Sequence, residues 1–212
     1  MGDRESVLET AGVSRETAST LDAFVGLLVK WQASINLVGP KTIDEIWTRH
    51  ILDSLQVVPL IPSDVRHVLD LGSGAGLPGI VIGIRLKEMG RGRATLVESN
   101  GKKVAFLRIA ALQLGLPVTV VQNRIEAAMP VLENVDCITA RALAPIDQLI
   151  RWTAPLLKTG AIGLFHKGRD LDKELAEASI CWAFDHARTP SVVEANSWIV
   201  EIRNVRPRSE PT

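Results

Sequence analysis

An acid followed by spaced glycines is the most chemically loaded stretch of this chain: Asp70-Leu-Gly-Ser-Gly-Ala-Gly-Leu-Pro-Gly79, with glycine at 72, 74, 76 and 79. Glycine accepts positive φ and lets a ligand approach the backbone with no Cβ in the way. Val68 to Leu71 reads as a short buried strand, and the apolar run Ile80 to Ile84 as a helix opened by Pro78. A strand, a glycine loop and a helix together form a cradle for a nucleotide-type ligand. Gly74, Gly76 and Gly79 satisfy G-x-G-x-x-G, so a nicotinamide or flavin dinucleotide is one reading. Three features favour another. Asp70 precedes the first glycine, Pro78 removes one N–H from a pyrophosphate site, and the chain has no Tyr for the Tyr/Lys pair of short-chain dehydrogenases.

The order D-x-G-x-G-x-G resembles motif I of the Rossmann-like S-adenosylmethionine (SAM) methyltransferases. Glu98 stands roughly twenty residues beyond the loop, at the end of the next strand, where an acid accepts from both ribose hydroxyls. A solvated strand-end position is its plain alternative. Past a third strand, Ile125 can pack an adenine while Glu126 or backbone meets its exocyclic amine; Glu126 also suits a helix N-terminus. Arg141 follows the fourth strand, and ligands in open α/β sheets bind beyond the carboxyl ends of strands. Its planar fork can take a methionyl carboxylate, an RNA phosphate or a structural ion pair. The Pro-Pro-aromatic segment of amino-group methyltransferases is missing, and neither Cys137 nor Cys181 follows a proline as in carbon-5 pyrimidine enzymes. A ring nitrogen such as guanine N7 fits this inventory, since its lone pair attacks without first losing a proton. Catalysis then reduces to positioning, with no general base.

The elements that must position these groups follow from periodicity. Ser14 reads as an N-cap, and Leu21, Phe24, Leu28, Trp31 and Ile35 recur at helical spacing. Thr42 to Glu45 reads as a capping box opening a second helix, with His50 and Asp53 on one face as a positioning or packing pair. From residue 67 strands alternate with helices, which predicts an α/β fold with a largely parallel seven-stranded sheet, an antiparallel final hairpin and preceding N-terminal helices. The expected strands are 68–71, 94–98, 118–122, 136–140, 160–166, 181–186 and 198–205. The expected units are 1–62, a helical extension packed on the core; 63–206, the methyltransferase domain; and 207–212, a frayed tail.

With 212 residues, 46% apolar and 23% charged, the chain has the composition of one soluble domain with an appendage. Its formal net charge is zero, so any nucleic-acid contact must come from a local patch. Lys102, Lys103 and Arg108 on one helix, with Arg91, Arg93, Arg124, Lys167 and Arg169 in loops, form a basic rim if they converge and scattered solvated charges if not. Both cysteines sit in apolar surroundings without metal spacing and read as small buried hydrophobes. No apolar run approaches the ~20 residues that span a bilayer, and a cytoplasmic location without membrane contact is expected.

Several motifs stand in order: Lys30-Trp-Gln-Ala-Ser-Ile-Asn-Leu37, Arg49-His-Ile-Leu-Asp-Ser-Leu55, Asp70 to Ile80, Glu98-Ser-Asn-Gly-Lys-Lys103, Phe106-Leu-Arg108, Arg124-Ile-Glu126, Ala140-Arg-Ala142 and Lys167-Gly168. Together they resemble the bacterial small-subunit (16S) ribosomal RNA guanine-N7 methyltransferases, the RsmG/GidB family. The resemblance implies SAM as cofactor, held by Gly72, Leu77, Ile125, Glu126 and Arg141, with Glu98 at the ribose and Gly74 and Gly76 shaping the loop. It also implies that Asn36, His50, Arg124, Arg141 and Lys167 surround an RNA-facing opening. With Lys102 and Lys103 they are the expected contacts to 16S rRNA or the small subunit, by a monomeric enzyme. Rival readings are a methyltransferase for another RNA or a small molecule, a dinucleotide-dependent oxidoreductase, and a non-catalytic RNA-binding module.

Overall fold

The computed structural model describes residues 2–208. Its centre is β1 (His67–Leu71), five residues all buried, as expected of a parallel strand covered on both faces. β2 (Arg93–Glu98) and β4 (Cys137–Arg141) flank it in parallel, so that Leu69 lies between Thr95 and Ile138. β3 (Val118–Gln122) extends the sheet beyond β2, and β5 (Ile162–Lys167) extends it beyond β4. β7 (Trp198–Pro207) pairs antiparallel with both β5 and β6 (Trp182–Pro190), giving the order β3-β2-β1-β4-β5-β7-β6. The strand order reverses between β1 and β4. A crevice opens at such a point beyond the strand ends, and there open α/β sheets bind their ligands.

Helices cover both faces. On one lie α2 (Arg15–Gln32), α4 (Gly79–Glu88) and α5 (Gly101–Gln113); on the other lie α7 (Ile146–Leu157) and α8 (Leu171–Cys181). Ser14 caps α2 as its type predicts, its Oγ accepting from Thr17 N at 3.1 Å. The amino-terminal helices have no core of their own. Leu21, Phe24 and Leu28 are fully buried in one cluster with Ile80, Leu96 and Phe106, and the Phe24 and Phe106 rings lie 6.3 Å apart. Each such side chain contributes about 1.5–3 kcal/mol, so residues 1–62 and the sheet share one hydrophobic interior.

Gly79 sets how closely α4 approaches the sheet. A Cβ there would meet Asp70 Oδ2 at 2.6 Å and Leu96 Cγ at 2.8 Å. Gly79→Ala is therefore expected to cost about 1–3 kcal/mol, read as a lower denaturant midpoint at unchanged slope. An unchanged midpoint would mean that α4 shifts freely.

The structure differs from the sequence expectations at several places. α1 (Gly2–Ala11) was not foreseen; it is fastened by a two-pronged ion pair from Arg4 to Asp22, with both contacts at 2.6 Å. α2 stops at Gln32 rather than reaching Ile35, because the Gln32 amide bonds Leu37 N, Val38 N and Val38 O and turns the chain back. Thr42 caps no α-helix. It ends a 3-10 turn (Pro40–Thr42), and the helix that follows begins as a π-helix (Trp47–Leu52) before α3 (Asp53–Leu55). Cys137 is buried but Cys181 is exposed at the end of α8. The last strand runs to Pro207 rather than 205, and Arg208 N donates to Cys181 O at 2.9 Å. Residues 209–212 lie outside the described residues. Among the described residues no helix is long and apolar enough to cross a membrane.

Candidate functional site

The loop after β1 holds Gly72, Gly74 and Gly76 at φ of +62°, +55° and +81°, the left-handed region that glycine enters without strain. At Gly72 space matters as well, since a Cβ would meet Leu143 Cδ1 at 2.6 Å. Glu98, 8% exposed, anchors the loop to the end of β2. Its Oε2 accepts from Gly74 N at 2.9 Å and its Oε1 from Asn100 N at 2.7 Å. Each oxygen keeps a lone pair for a further donor. Leu77 is buried beneath the loop, where it serves as packing. α6 (Ile125–Ala128) begins beside the end of β2, where Asn123 N donates to Glu98 O at 3.2 Å. Ile125 is half-buried there and Glu126 exposed.

Asp70 is 1% exposed. Its Oδ1 accepts from Thr139 Oγ1 at 2.8 Å, while Oδ2 is buried without a partner. That oxygen lies against Gly79 at the start of α4, and a buried acceptor without a partner calls for a donor. Burial pushes the Asp70 carboxyl up to about 6, against the pull of its hydrogen bonds.

Arg141, at the end of β4, stands opposite His166 of β5 and turns its guanidinium toward the π-helix. Nε meets Asp53 Oδ2 at 2.9 Å, and Nη2 donates to Arg49 O at 3.0 Å and to His50 Nδ1 at 2.9 Å. Nη1 is buried without a partner. His50, 8% exposed, lies 2.7 Å from Thr42 Oγ1 through Nε2. Burial first and the Arg141 charge second lower its pKa to about 4, with Asp53 opposing. The expected His50–Asp53 pair thus faces one arginine. His166 Nε2 is 2.8 Å from Asp53 O and its buried Nδ1 has no partner. These side chains and Trp198 line a cavity of about 440 Å³ between the π-helix and the carboxyl ends of β4 and β5. A larger recess of about 830 Å³ lies where β4 and β5 begin, lined by Asp136 and Thr159 and, from α6, by Glu126 of the expected cofactor set.

The remaining expected residues separate. Lys167 also lines the cavity beside Arg141, but its Nζ is committed: it donates to Ala144 O at 2.9 Å and pairs with Glu174 at 2.5 Å, with 8% of the side chain exposed. A buried ammonium has to be paired, and this one fastens the β4–α7 loop to α8. Lys102 and Lys103 follow Asn100, whose Oδ1 caps α5 by accepting from both of their backbone N–H groups. Lys102 and Arg124 are exposed, Lys103 is half-buried, and Asn36 is exposed in the turn after α2. Arg91 precedes β2 and Arg93 begins it, so both lie at the far end of the sheet, where Arg93 approaches His67. The rim expected from eight basic residues is smaller for it. The structural ion pair left open for Arg141 is present; sequence reasoning missed Asp53 as its partner, for which the spacing of His50 and Asp53 was the available signal, and nothing pointed to His166.

Two of the shifted groups, His50 and Asp70, oppose each other in acid; burial lowers His67 and His166 as well, in the direction of His50. His50 binds protons more weakly in the native chain, so stability rises with pH between about 4 and 6.5. Asp70 binds its proton more tightly in the native chain, so stability falls with rising pH between 3.8 and about 6. Asp70→Asn removes the falling limb, and the Tm of that variant is expected to climb more steeply than wild type from pH 4 to pH 6. Parallel curves would contradict these assignments.

Residues 17–202 match the family model GidB, described as rRNA small subunit methyltransferase G. A protein named ribosomal RNA small subunit methyltransferase G from Methylobacterium sp. (strain 4-46) is 48% identical over 204 residues, covering 96% of each chain. The protein of the same name from Bartonella henselae is 50% identical over 196 residues, covering 92% of this chain and 91% of that one. Among solved structures, the O-methyltransferase from Bacillus cereus in complex with SAH shares the fold, with a TM-score of 0.56 at 14% identity over 86% of this chain and 91% of that one.

Proposed function

The chain belongs to the rRNA small subunit methyltransferase G family, and from that premise we propose that it transfers a methyl group from SAM to N7 of a guanine in 16S ribosomal RNA. One observation carries the site: two buried carboxylates, Asp70 and Glu98, bracket the glycine loop at the carboxyl ends of β1 and β2. The donor set fits SAM. Glu98 has acceptor capacity left for ribose hydroxyls, and Asp70 Oδ2 is an unpaired acceptor suited to a cationic methionyl group. Gly72, Gly74, Gly76 and Leu77 shape the cradle, with Ile125 and Glu126 beside the adenine. When bound, SAM supplies a methyl group on a sulfonium, open to in-line displacement by a nitrogen lone pair.

Nothing in this chain needs to act as a base, because guanine N7 carries no proton. Both ring nitrogens of His50 are engaged, in keeping with a role other than proton abstraction. Arg141 then binds and orients substrate at the switch point, with Arg124, Lys102, Lys103 and Asn36 as exposed groups for phosphates and bases. Lys167 supports the loop beneath them. The enzyme acts as a monomer in the cytoplasm, with the small subunit or its rRNA as partner.

Thermal melts test the cofactor site. S-adenosylhomocysteine at about 100 times its Kd should stabilise by about 2.7 kcal/mol, while NAD leaves Tm unchanged. Stabilisation by NAD alone would restore the dinucleotide reading.

A further inference from the structure

The Arg141 guanidinium is held along one edge by three acceptors, two on the π-helix and one at the first residue of α3. Asp53 Oδ2 takes Nε at 2.9 Å, and Arg49 O and His50 Nδ1 take Nη2 at 3.0 and 2.9 Å. A guanidinium only donates, so the direction of every bond in the chain is forced. His50 Nδ1 must be an unprotonated acceptor, and the ring proton therefore sits on Nε2 and is donated to Thr42 Oγ1 at 2.7 Å. The Thr42 hydroxyl passes its own proton to Gly39 O at 2.7 Å. On the other limb, Asp53 Oδ1 accepts from Gln56 Nε2 at 2.7 Å, and Gln56 in turn accepts from Val192 N at 3.0 Å. Each donor meets an acceptor without conflict.

We infer that Thr42, His50 and Asp53 are positioning residues for Arg141: they fix its fork along the Nε–Nη2 edge and so set how the guanidinium sits in the wall of the cavity it lines, while Nη1 stays buried without a partner among the described residues. The inference rests on the reading of Arg141 as substrate-facing. The opposite ring tautomer, or an imidazolium, sets N–H against N–H and turns the fork away. Arg141 and Arg49 oppose protonation of His50 while Asp53 favours it, and burial outweighs them all. Thr42 is thus a tautomer clamp one step removed from the arginine, a role its place in a capping-box pattern conceals.

The test is Thr42→Val against Thr42→Ser, with Lys158→Ala as the surface control. In ¹⁵N NMR of histidine-labelled protein at neutral pH, wild type and Thr42→Ser should show His50 with bare Nδ1 and protonated Nε2, and Thr42→Val a mixture. Methyl transfer to small subunits should fall about fivefold in kcat for Thr42→Val and recover in Thr42→Ser, with the Kd for S-adenosylhomocysteine held within about twofold. Should Thr42→Val fail to fold, His50→Asn against His50→Leu asks the same question, since the Asn carbonyl can replace the Nδ1 acceptor; Asn should retain more transfer. Wild-type transfer by Thr42→Val, or equal losses in Val and Ser or in Asn and Leu, overturns the inference while the role of Arg141 stands. Full activity of Arg141→Ala overturns that role and the inference together.

Discussion

Glu98→Ala should weaken binding of S-adenosylhomocysteine by about 1–3 kcal/mol, roughly five- to 150-fold. Two losses combine. The carboxylate proposed to receive ribose hydroxyls disappears, and Gly74 N and Asn100 N lose the acceptors that hold them at 2.9 and 2.7 Å. The glycine loop is then untied from β2 and pays ordering entropy on binding. Glu98→Gln separates the two effects, because its amide oxygen can still accept from one backbone N–H. It should bind with intermediate affinity by calorimetry. Wild-type affinity in Glu98→Ala would remove the residue from the cofactor site.

Arg141→Ala should depress methyl transfer about a hundredfold, with binding of S-adenosylhomocysteine far less affected. It also leaves Asp53 Oδ2 and His50 Nδ1 without their donor, so stability falls too, by about 1–3 kcal/mol. Arg141→Lys repairs little, since one ammonium cannot serve the Nε and Nη2 acceptors together. The double variant Arg141→Ala with Asp53→Ala separates stability from function. Removing the orphaned carboxylate should restore part of the Tm while transfer stays low. If transfer returns with stability, Arg141 is only the partner of an ion pair.

The legible parts of this fold are those decided by local pattern. The boundaries of α4, β3 and α7 follow from Pro78, from the Val118–Gln122 run and from the apolar spacing between Ile146 and Leu157. The glycine loop and Glu98 were visible because both answer to backbone geometry at a strand end. What stayed hidden depends on which partner a side chain meets. Thr42 carries cap chemistry, yet its oxygen is taken by His50 eight residues on. Lys167 has the charge of an RNA contact and lines the cavity with Arg141, but its ammonium is held by Glu174 and Ala144 O, partners that only the packing of α8 brings to it. α1 shows little apolar patterning; it is held by Val7 buried in the core and by Arg4–Asp22 and Thr48 donating to Asp3, contacts far apart in the chain. Cys181 looked like core and lies at an exposed helix end, because only one face of α8 is buried.

Transfer of tritiated methyl from SAM to small ribosomal subunits, and to their naked rRNA, from cells lacking the enzyme bears most directly on the central claim. Digestion to nucleosides and mass spectrometry should place the label in 7-methylguanosine from 16S rRNA. Label in another nucleoside, or only in small molecules, would contradict the account.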